Sequence, residues 1–389
     1  MKSLARVLPA QFNRIYLASF IFTVHYGFLV YIISSYLETF TDQSGVNFIF
    51  GAGAVGAIFA LLFISQVLKK EGELKVTRVA IVLTILSAFG LAFARSQYEV
   101  ALAGVIYFIC EMIVWVMLDI YLENITVAKE AGNIRGHFLL AVNIAIALSP
   151  FIVGQLVGSV GYAPVFLISG LIMIPLLFII RSDMQTIPRN KLQAYTPLTG
   201  FRKIWKKPDV MRIMSTYFLL EFFYSWMVIY SPIYLHNTIG LKWEQIGVVF
   251  TIMLIPFVLF ELPLGRIADK RLGEKEILIT GLVIMSVATI SVSYITSASV
   301  IVWGIVLFIT RTGASFIEIM NETYFFKKIR STDRDIISLL RVGRPASYLL
   351  APIAGGIALY FVPMQYIFLI LGLIVLLGII PATTMRDTK

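Results

Sequence analysis

Charged residues, histidine and cysteine are all scarce in this sequence of 389 residues. Charged side chains make up 14% of the chain, against roughly 25% in an average soluble domain. The single cysteine, Cys110, excludes an internal disulfide framework, and three histidines far apart in the chain offer no metal-ligand cluster. A phosphate-binding loop is also missing, which excludes a self-contained nucleotide-driven pump. No cofactor is therefore expected.

Apolar residues dominate the chain instead. They account for 59% of the residues, and the mean hydropathy is +0.87, so a water-soluble fold could not bury them. Apolar runs of roughly 20 residues, the length that crosses a bilayer core, recur along the sequence. We predict an all-α membrane protein, because backbone groups in lipid need internal hydrogen-bond partners. The twelve predicted transmembrane helices cover residues 14–37, 46–68, 76–95, 98–125, 135–158, 163–181, 212–235, 244–264, 277–296, 299–325, 337–360 and 364–381.

Basic residues are distributed unevenly between the loops of this topology. With the N-terminus inside the cell, 27 of the 32 lysines and arginines fall in or beside cytoplasmic segments. Only Arg95 and Lys242 lie outside, and the other three lie within spans. This asymmetry predicts that both termini are cytoplasmic, in a plasma or inner membrane. The net charge of +10 therefore indicates a lipid bilayer, not nucleic acid, as the partner. The first apolar run lacks a small-residue cleavage pattern, so we expect it to be retained as a span.

Two halves of the chain repeat one another. A shift of 198 residues aligns Arg14 with Arg212 and Tyr26 with Tyr224. A polar, basic stretch separates six predicted spans from the other six. We therefore predict two related units joined by a cytoplasmic linker. Their bounds are 1–181 for the N-terminal six-helix bundle, 182–211 for the linker and 212–389 for the C-terminal six-helix bundle.

The loop after the eighth span carries a sequence motif. Residues 265–275 read Gly-Arg-Ile-Ala-Asp-Lys-Arg-Leu-Gly-Glu-Lys, which resembles the G-x-x-x-D-[RK]-x-G-[RK]-[RK] signature of the major facilitator superfamily. The second glycine, Gly273, comes one place late, and the equivalent first-half loop, residues 65–73, lacks the first glycine and the aspartate. In the fifth span, Pro150 and Gly154 resemble a weakened form of the superfamily's antiporter signature.

This resemblance implies two pseudo-symmetric six-helix bundles that alternate about a central site. The first, fourth, seventh and tenth spans would line the cavity. The protein would be a secondary transporter of a small organic solute, not an enzyme. We expect it to be monomeric and driven by protons, and we favour efflux over uptake.

One ionisable residue falls near the middle of each span that the resemblance assigns to the cavity. A charge at that depth costs roughly 2.5 to 3.5 kcal/mol unless it meets a partner or water. Tyrosines at equivalent repeat positions and polar residues one turn from these charges complete the set. The predicted substrate-binding or coupling residues are His25, Tyr26, Glu111, Trp115, Glu221, Tyr224, Arg311 and Ser315.

The mid-membrane charges admit two interpretations. Glu111 and Arg311 could form a structural ion pair that locks the halves together. Alternatively, Glu111 or Glu221 could bind and release a proton as the cavity opens and closes. His25 also has two interpretations: it could be a hydrogen-bonded core residue or a residue that titrates during transport.

A second group of polar residues lies at the predicted cytoplasmic ends of the spans. By resemblance, the Asp269 loop pins helix ends in the outward-facing state, and neighbouring carboxylates hold Arg271. The alternative for such residues is ordinary interfacial snorkelling. The predicted gate residues are Asp119, Glu123, Arg135, Gly265, Asp269, Arg271, Glu318, Glu322, Arg341 and Arg344.

Two other functions remain open at this point. A membrane-embedded enzyme would need a catalytic set, and no His/Asp or Ser/His cluster is apparent near a membrane edge. A transport-inactive receptor or scaffold could share the same fold, because fold alone does not establish function. The substrate, the direction of transport and the coupling ion are not determined by the residues.

Overall fold

The computed structural model describes residues 4–125, 131–181, 197–270, 273–329 and 334–386. Within these ranges the side chains are described except at residues 4–12, 123–125, 131–141, 197–198, 261–262, 265–270, 326 and 334. All regular secondary structure in the described ranges is helical. The predicted all-α class is thereby confirmed.

Eight helices lie within the described ranges of the first half of the chain. They are α1 (Leu4–Leu29), α2 (Ile33–Glu38), α3 (Gln43–Glu71), α4 (Glu73–Phe93), α5 (Gln97–Ile125), α6 (Ala131–Val160), α7 (Tyr162–Met173) and α8 (Leu176–Ile179). The short helices α2 and α8 continue the spans that α1 and α7 begin.

Eight further helices lie within the described ranges of the second half. They are α9 (Pro197–Ile204), α10 (Pro208–Ile233), α11 (Trp243–Lys270), α12 (Glu274–Val292), α13 (Val300–Lys328), α14 (Arg334–Phe361), α15 (Ile367–Leu376) and α16 (Ile379–Thr384). A π-helical turn, Tyr234–Thr238, extends α10, and a 3₁₀ turn, Met364–Tyr366, precedes α15.

Each of the twelve predicted spans coincides with a helix or a consecutive pair of helices. Within the described ranges, eleven of these are long and apolar enough to cross a bilayer. The remaining one is α14, the eleventh predicted span, whose first half is less apolar because it contains Arg341, Arg344 and Pro345. Its helical course over Arg334–Phe361 agrees with the predicted span 337–360.

Glycines with left-handed backbone geometry precede the helix that forms the third span of each half. Gly72 has φ 87° and Gly273 has φ 90°. A backbone with such a φ is energetically unfavourable for a residue that carries a Cβ atom. The next residues, Glu73 and Glu274, begin α4 and α12 and are buried, with exposed fractions of 3% and 1%. The two halves therefore share a turn in which a glycine directs a glutamate into the protein.

By its internal contacts the chain separates into two units. The first comprises Met1–Ser149 and Ser159–Tyr195, and the second comprises Pro150–Gly158 and Thr196–Lys389. Within the second unit, Gly154 lies directly against the start of α11: a Cβ atom on it would be 2.5 Å from the Trp243 carbonyl oxygen. The domain bounds of the sequence analysis stay a prediction.

Each unit has a buried apolar core. In the first unit, side chains from α1, α4, α5 and α7 pack together, among them Phe22, Ile81, Tyr121 and Met173. In the second unit, the short helix α9 packs on α14.

A close backbone approach and an ion pair attach α9. Gly200 lies so close to the Asp335 carbonyl oxygen that a Cβ atom on it would collide with that oxygen. The Lys203 ammonium pairs with the Asp335 carboxylate. The remaining face of α9 exposes Phe201 and, just beyond its end, Trp205. The helix therefore belongs structurally to the second unit.

Candidate functional site

Three helices of the second unit, α10, α13 and α14, bring charged and aromatic side chains together. On α10, Tyr217, Glu221 and Tyr224 are four and three residues apart, so they project from the same face of the helix. On α13, Arg311 and Glu318 are seven residues apart and share a face for the same reason. All of these are residues of predicted membrane spans.

Arg311 is the most deeply buried charge of this cluster. Its exposed fraction is 1%. The guanidinium carbon lies 5.0 Å from the centre of the Phe223 ring and 5.1 Å from the centre of the Tyr224 ring. Contacts of this kind offset part of the cost of burying a cation. The Nε atom has no hydrogen-bond partner among the described residues.

Glu318 is held by the same tyrosine that contacts Arg311. The Tyr224 hydroxyl donates a hydrogen bond of 2.7 Å to the Glu318 carboxylate. The Arg311 charge acts electrostatically on Glu318, and so do the charges of Glu221 and Glu322. Glu318, predicted as a gate residue, therefore belongs with the predicted substrate and coupling residues.

Glu221 lies one turn before Tyr224 and has partners of its own. The Tyr217 hydroxyl donates to its carboxylate, and Arg344 of α14 interacts with it electrostatically. Arg344, predicted as a gate residue, thus neutralises part of the charge on Glu221.

The other predicted residues of the second unit are Ser315, Glu322 and Arg341. Ser315 is fully buried and donates to the Thr312 carbonyl oxygen at 2.9 Å, a bond within its own helix. Glu322 and Arg341 are half-buried, and both have partners within the protein.

Ion pairs tie the ends of the second unit's helices together. The Lys327 ammonium of α13 lies 2.5 Å from the Glu274 carboxylate of α12. Asp209 of α10 pairs with Arg212 at 2.9 Å and with Lys328 at 3.8 Å. The described part of α13 thus connects to two neighbouring helices at its C-terminal end.

In the first unit, His25 is a hydrogen-bonded core residue. It is fully buried, and its Nδ1 atom lies 2.9 Å from the Ser169 carbonyl oxygen. The Ser169 hydroxyl donates to the His25 carbonyl oxygen at 3.1 Å, and the Tyr107 hydroxyl lies 3.4 Å from Nε2. With the proton on Nδ1, the ring donates to the Ser169 carbonyl oxygen and Nε2 can accept from the Tyr107 hydroxyl, while the Ser169 hydroxyl donates to the His25 carbonyl oxygen. This geometry favours the core interpretation of His25 over a titrating role.

The aromatic residues predicted in the first unit contact one another. Tyr26 and Trp115 meet edge to face, with ring centres 5.5 Å apart, and both are half-buried. Glu111 is buried with an exposed fraction of 2%, and Asp119 is half-buried. Both carboxylates have partners within the protein.

Five predicted gate residues lie outside the described residues or side chains. They are Glu123, Arg135, Gly265, Asp269 and Arg271. No group of three His, Cys, Asp or Glu residues in the described part of the chain has a geometry that could hold a metal ion.

Sequence reasoning missed several contributors to these clusters. Tyr217 could have been found from its spacing, because it precedes Glu221 by one helical turn. Phe223, Tyr107 and Ser169 gave no signal, since an apolar or small polar residue within a span is ordinary.

Comparisons with known proteins give one family. A sequence model described as the Major Facilitator Superfamily matches residues 15–334. No curated protein matches the sequence.

Solved structures share the fold at low sequence identity. A point mutant of the nucleoside transporter NupG aligns with a TM-score of 0.76 at 15% identity, covering 96% of this chain and 99% of that one. The xylose transporter XylE from E. coli, in an inward open conformation, gives 0.72 at 13% identity, covering 97% of each chain. PepTSo, a POT family transporter, gives 0.75 at 10% identity, covering 96% of this chain and 97% of that one.

Proposed function

This chain belongs to the major facilitator superfamily, and we propose that it is a proton-coupled exporter whose small organic substrate binds at the α10–α13–α14 cluster. Family membership makes it a multi-pass membrane transporter and not an enzyme. The proton, the direction, the substrate and the site are the proposal.

The burial of Arg311 beside Tyr224 and Glu318 is the observation that carries the site assignment. Ionisable residues inside spans are costly, and they mark substrate or ion pathways more often than structural contacts. Here the buried guanidinium, the tyrosine and the carboxylate lie on two of the four helices that the family resemblance assigns to the cavity. The same residues offer a positive group, an aromatic face and a hydrogen-bond acceptor to a ligand.

Proton coupling is supported by the carboxylates of the same cluster. Glu318 interacts with the charges of both Glu221 and Glu322. Three carboxylates in one partly buried cluster repel one another, and binding of a proton relieves that repulsion. We assign the coupling proton to Glu318 or Glu221. The predicted role of the first-unit residues Glu111, Tyr26 and Trp115 in substrate binding or coupling is kept as part of the proposal.

The remaining features of the proposal come from the sequence. The two bundles, 1–181 and 212–389, would move about the site, with the Asp269 loop as part of the cytoplasmic gate. The termini would be cytoplasmic, in a plasma or inner membrane, and one chain would form the working unit. In a Cys110→Ala background, impermeant reagent on intact cells should label a cysteine at Asp42 and spare one at Tyr195. The opposite pattern would reverse the orientation.

Reconstituted protein tests transport and coupling together. A panel of sugars, amino acids, organic acids and lipophilic cations is first screened for thermal stabilisation of the purified protein, since a bound ligand stabilises the folded state. A radiolabelled hit is then followed in liposomes, by counterflow and by accumulation against an imposed pH gradient. The wild-type protein should show both counterflow and gradient-driven accumulation. Because the protein is proposed to export its substrate, inside-out vesicles should accumulate the substrate when their lumen is acidic.

Variants of the cluster separate coupling from binding. Glu318→Gln or Glu221→Gln should keep counterflow and lose gradient-driven accumulation, whereas Glu276→Gln, an exposed carboxylate on α12, should behave like wild type. Accumulation that is unchanged in both cluster variants would contradict the proton assignment. Stabilising ligands that are never exchanged would favour a transport-inactive receptor.

A further inference from the structure

The hydrogen-bonding capacity of Arg311 is not fully met among the described residues. A guanidinium carries five N–H donors and no acceptor, and arginine is almost never fully buried unless it is paired. Arg311 has an exposed fraction of 1%, yet its Nε atom has no hydrogen-bond partner among the described residues. The two ring contacts, at 5.0 and 5.1 Å, stabilise the charge but accept no N–H donor in the guanidinium plane.

Tyr224 keeps the neighbouring carboxylate occupied. Arg311 and Glu318 are two turns apart on α13, roughly 10 Å along the helix axis. The Tyr224 hydroxyl, at 2.7 Å, holds the Glu318 carboxylate at the far end of the ring whose centre lies 5.1 Å from the guanidinium carbon. The tyrosine therefore prevents the two charges on one helix from forming a direct ion pair.

The ring contacts also restrict how a ligand can approach. Phe223 and Tyr224 contact the guanidinium through their rings, and Nε has no hydrogen-bond partner among the described residues, so we assign the donor edge that includes Nε to an acceptor. A guanidinium edge presents two parallel N–H groups, which match the two oxygens of a planar carboxylate. A cationic ligand is repelled there, and a neutral amide supplies only one acceptor oxygen.

We propose that the substrate of this protein is an organic carboxylate and that Arg311 binds its carboxylate group through the donor edge that includes Nε. This inference rests on the proposed function, because it names the chemistry of the cargo for the same site. It assigns Tyr224 a second role as the residue that keeps Glu318 away from the anion-binding edge.

Matched ligand pairs test the inference directly on the purified full-length protein. The probes are hexanoate with hexanamide, phenylacetate with phenylacetamide, and benzoate with benzamide, plus phenyl phosphate as a tetrahedral anion. At least one carboxylate should raise the unfolding temperature in a concentration-dependent way, and its amide should not. Arg311→Gln should weaken the binding of that carboxylate about tenfold or more, as expected for a lost charge-assisted hydrogen bond. Arg311→Lys should not restore the affinity. Arg202→Gln, an exposed arginine on α9, is the matched control.

A second variant tests the inference if the Arg311 variants do not fold. Tyr224→Phe keeps the ring and removes the hydroxyl, which releases Glu318 toward Arg311. Carboxylate binding should weaken severalfold, and the double change Tyr224→Phe with Glu318→Gln should restore it. Failure of the double variant to restore binding would contradict the spacer role.

Other outcomes separate this inference from the transport proposal. If no carboxylate stabilises the protein more than its amide, or if phenyl phosphate binds better than every carboxylate, the inference is wrong. If wild type and Arg311→Gln exchange a neutral or cationic compound equally well, the transport proposal stands and the inference of a carboxylate substrate is wrong. A carboxylate that binds through Arg311 without being exchanged would support the inference and refute transport.

Discussion

Tyr224 separates Arg311 from Glu318: its ring centre lies 5.1 Å from the guanidinium carbon, and its hydroxyl donates to the carboxylate at 2.7 Å. Opposite charges on one face of α13 therefore remain apart while one side chain contacts both. The equivalent tyrosine of the first half, Tyr26, instead meets Trp115 edge to face at 5.5 Å.

Removal of the His25 hydrogen bonds should destabilise the protein without altering its proton dependence. His25→Ala deletes a fully buried ring that contacts Ser169 and Tyr107. Loss of these hydrogen bonds and creation of a cavity should cost about 2 to 4 kcal/mol, measured as a lower unfolding temperature in detergent. The pH profile of transport should match wild type. A displaced profile in His25→Gln would show that the imidazole titrates during transport.

The Glu274 and Lys327 pair should contribute to the stability of the second unit. Glu274 has an exposed fraction of 1%, whereas the Lys327 side chain is 41% exposed, so solvent screens part of the interaction. Lys327→Met should cost about 1 to 3 kcal/mol because it leaves a buried carboxylate with one partner fewer. A thermal-stability cycle with Glu274→Gln measures the coupling. Strictly additive effects would show that the two residues do not interact in solution.

The close approach at Gly154 should make this position intolerant of a side chain. A Cβ atom there would lie 2.5 Å from the Trp243 carbonyl oxygen and 2.8 Å from the Gly247 Cα. Gly154→Ala should therefore lower the unfolding temperature and slow substrate exchange. Gly51→Ala is the control, since a Cβ atom on Gly51 would meet nothing within 4 Å. Equal behaviour of the two variants would show that α6 and α11 do not need this contact.

The sequence-based hypothesis that Glu111 and Arg311 are coupled has its own test. Each is a costly charge within a span, and removing one partner of a buried pair typically costs about 3 to 5 kcal/mol. If the two interact, Glu111→Gln with Arg311→Gln should be milder for unfolding than the sum of the single changes. Additive effects would show that Arg311 does not interact with Glu111 and has its interactions within the α10–α13–α14 cluster.

Hydropathy was sufficient to predict the helices, because a span must satisfy its backbone internally and stay apolar over roughly 20 residues. The same rule explains why α14 was the least apolar of the predicted spans, since it carries Arg341 and Arg344, of which Arg344 interacts with Glu221. Repeat alignment singled out Tyr224 as a substrate-binding residue; its ring centre lies 5.1 Å from the Arg311 guanidinium carbon, and its role in binding stays a prediction.

Contacts distant in sequence were beyond this reasoning. The partner of His25 is Ser169, 144 residues away, and a serine within a span is indistinguishable from many others. Phe223 escaped for a similar reason: its contact with Arg311 depends on how α10 is rotated against α13, which hydrophobic periodicity does not determine. Glu318 was expected at a gate because only its position along α13 was known, and not the tyrosine that binds it.

The attachment of α9 has a genetic consequence. Because Gly200 packs against Asp335 and Lys203 pairs with it, α9 is secured to α14 and needs no covalent continuity with α8 for its position. A gene divided shortly before the codon for Pro197 would encode two polypeptides, each with the helices described for its half of the chain. Co-expression of the two fragments should therefore yield a functional protein, whereas a division after the codon for Lys203 would take α9 away from the half that holds it.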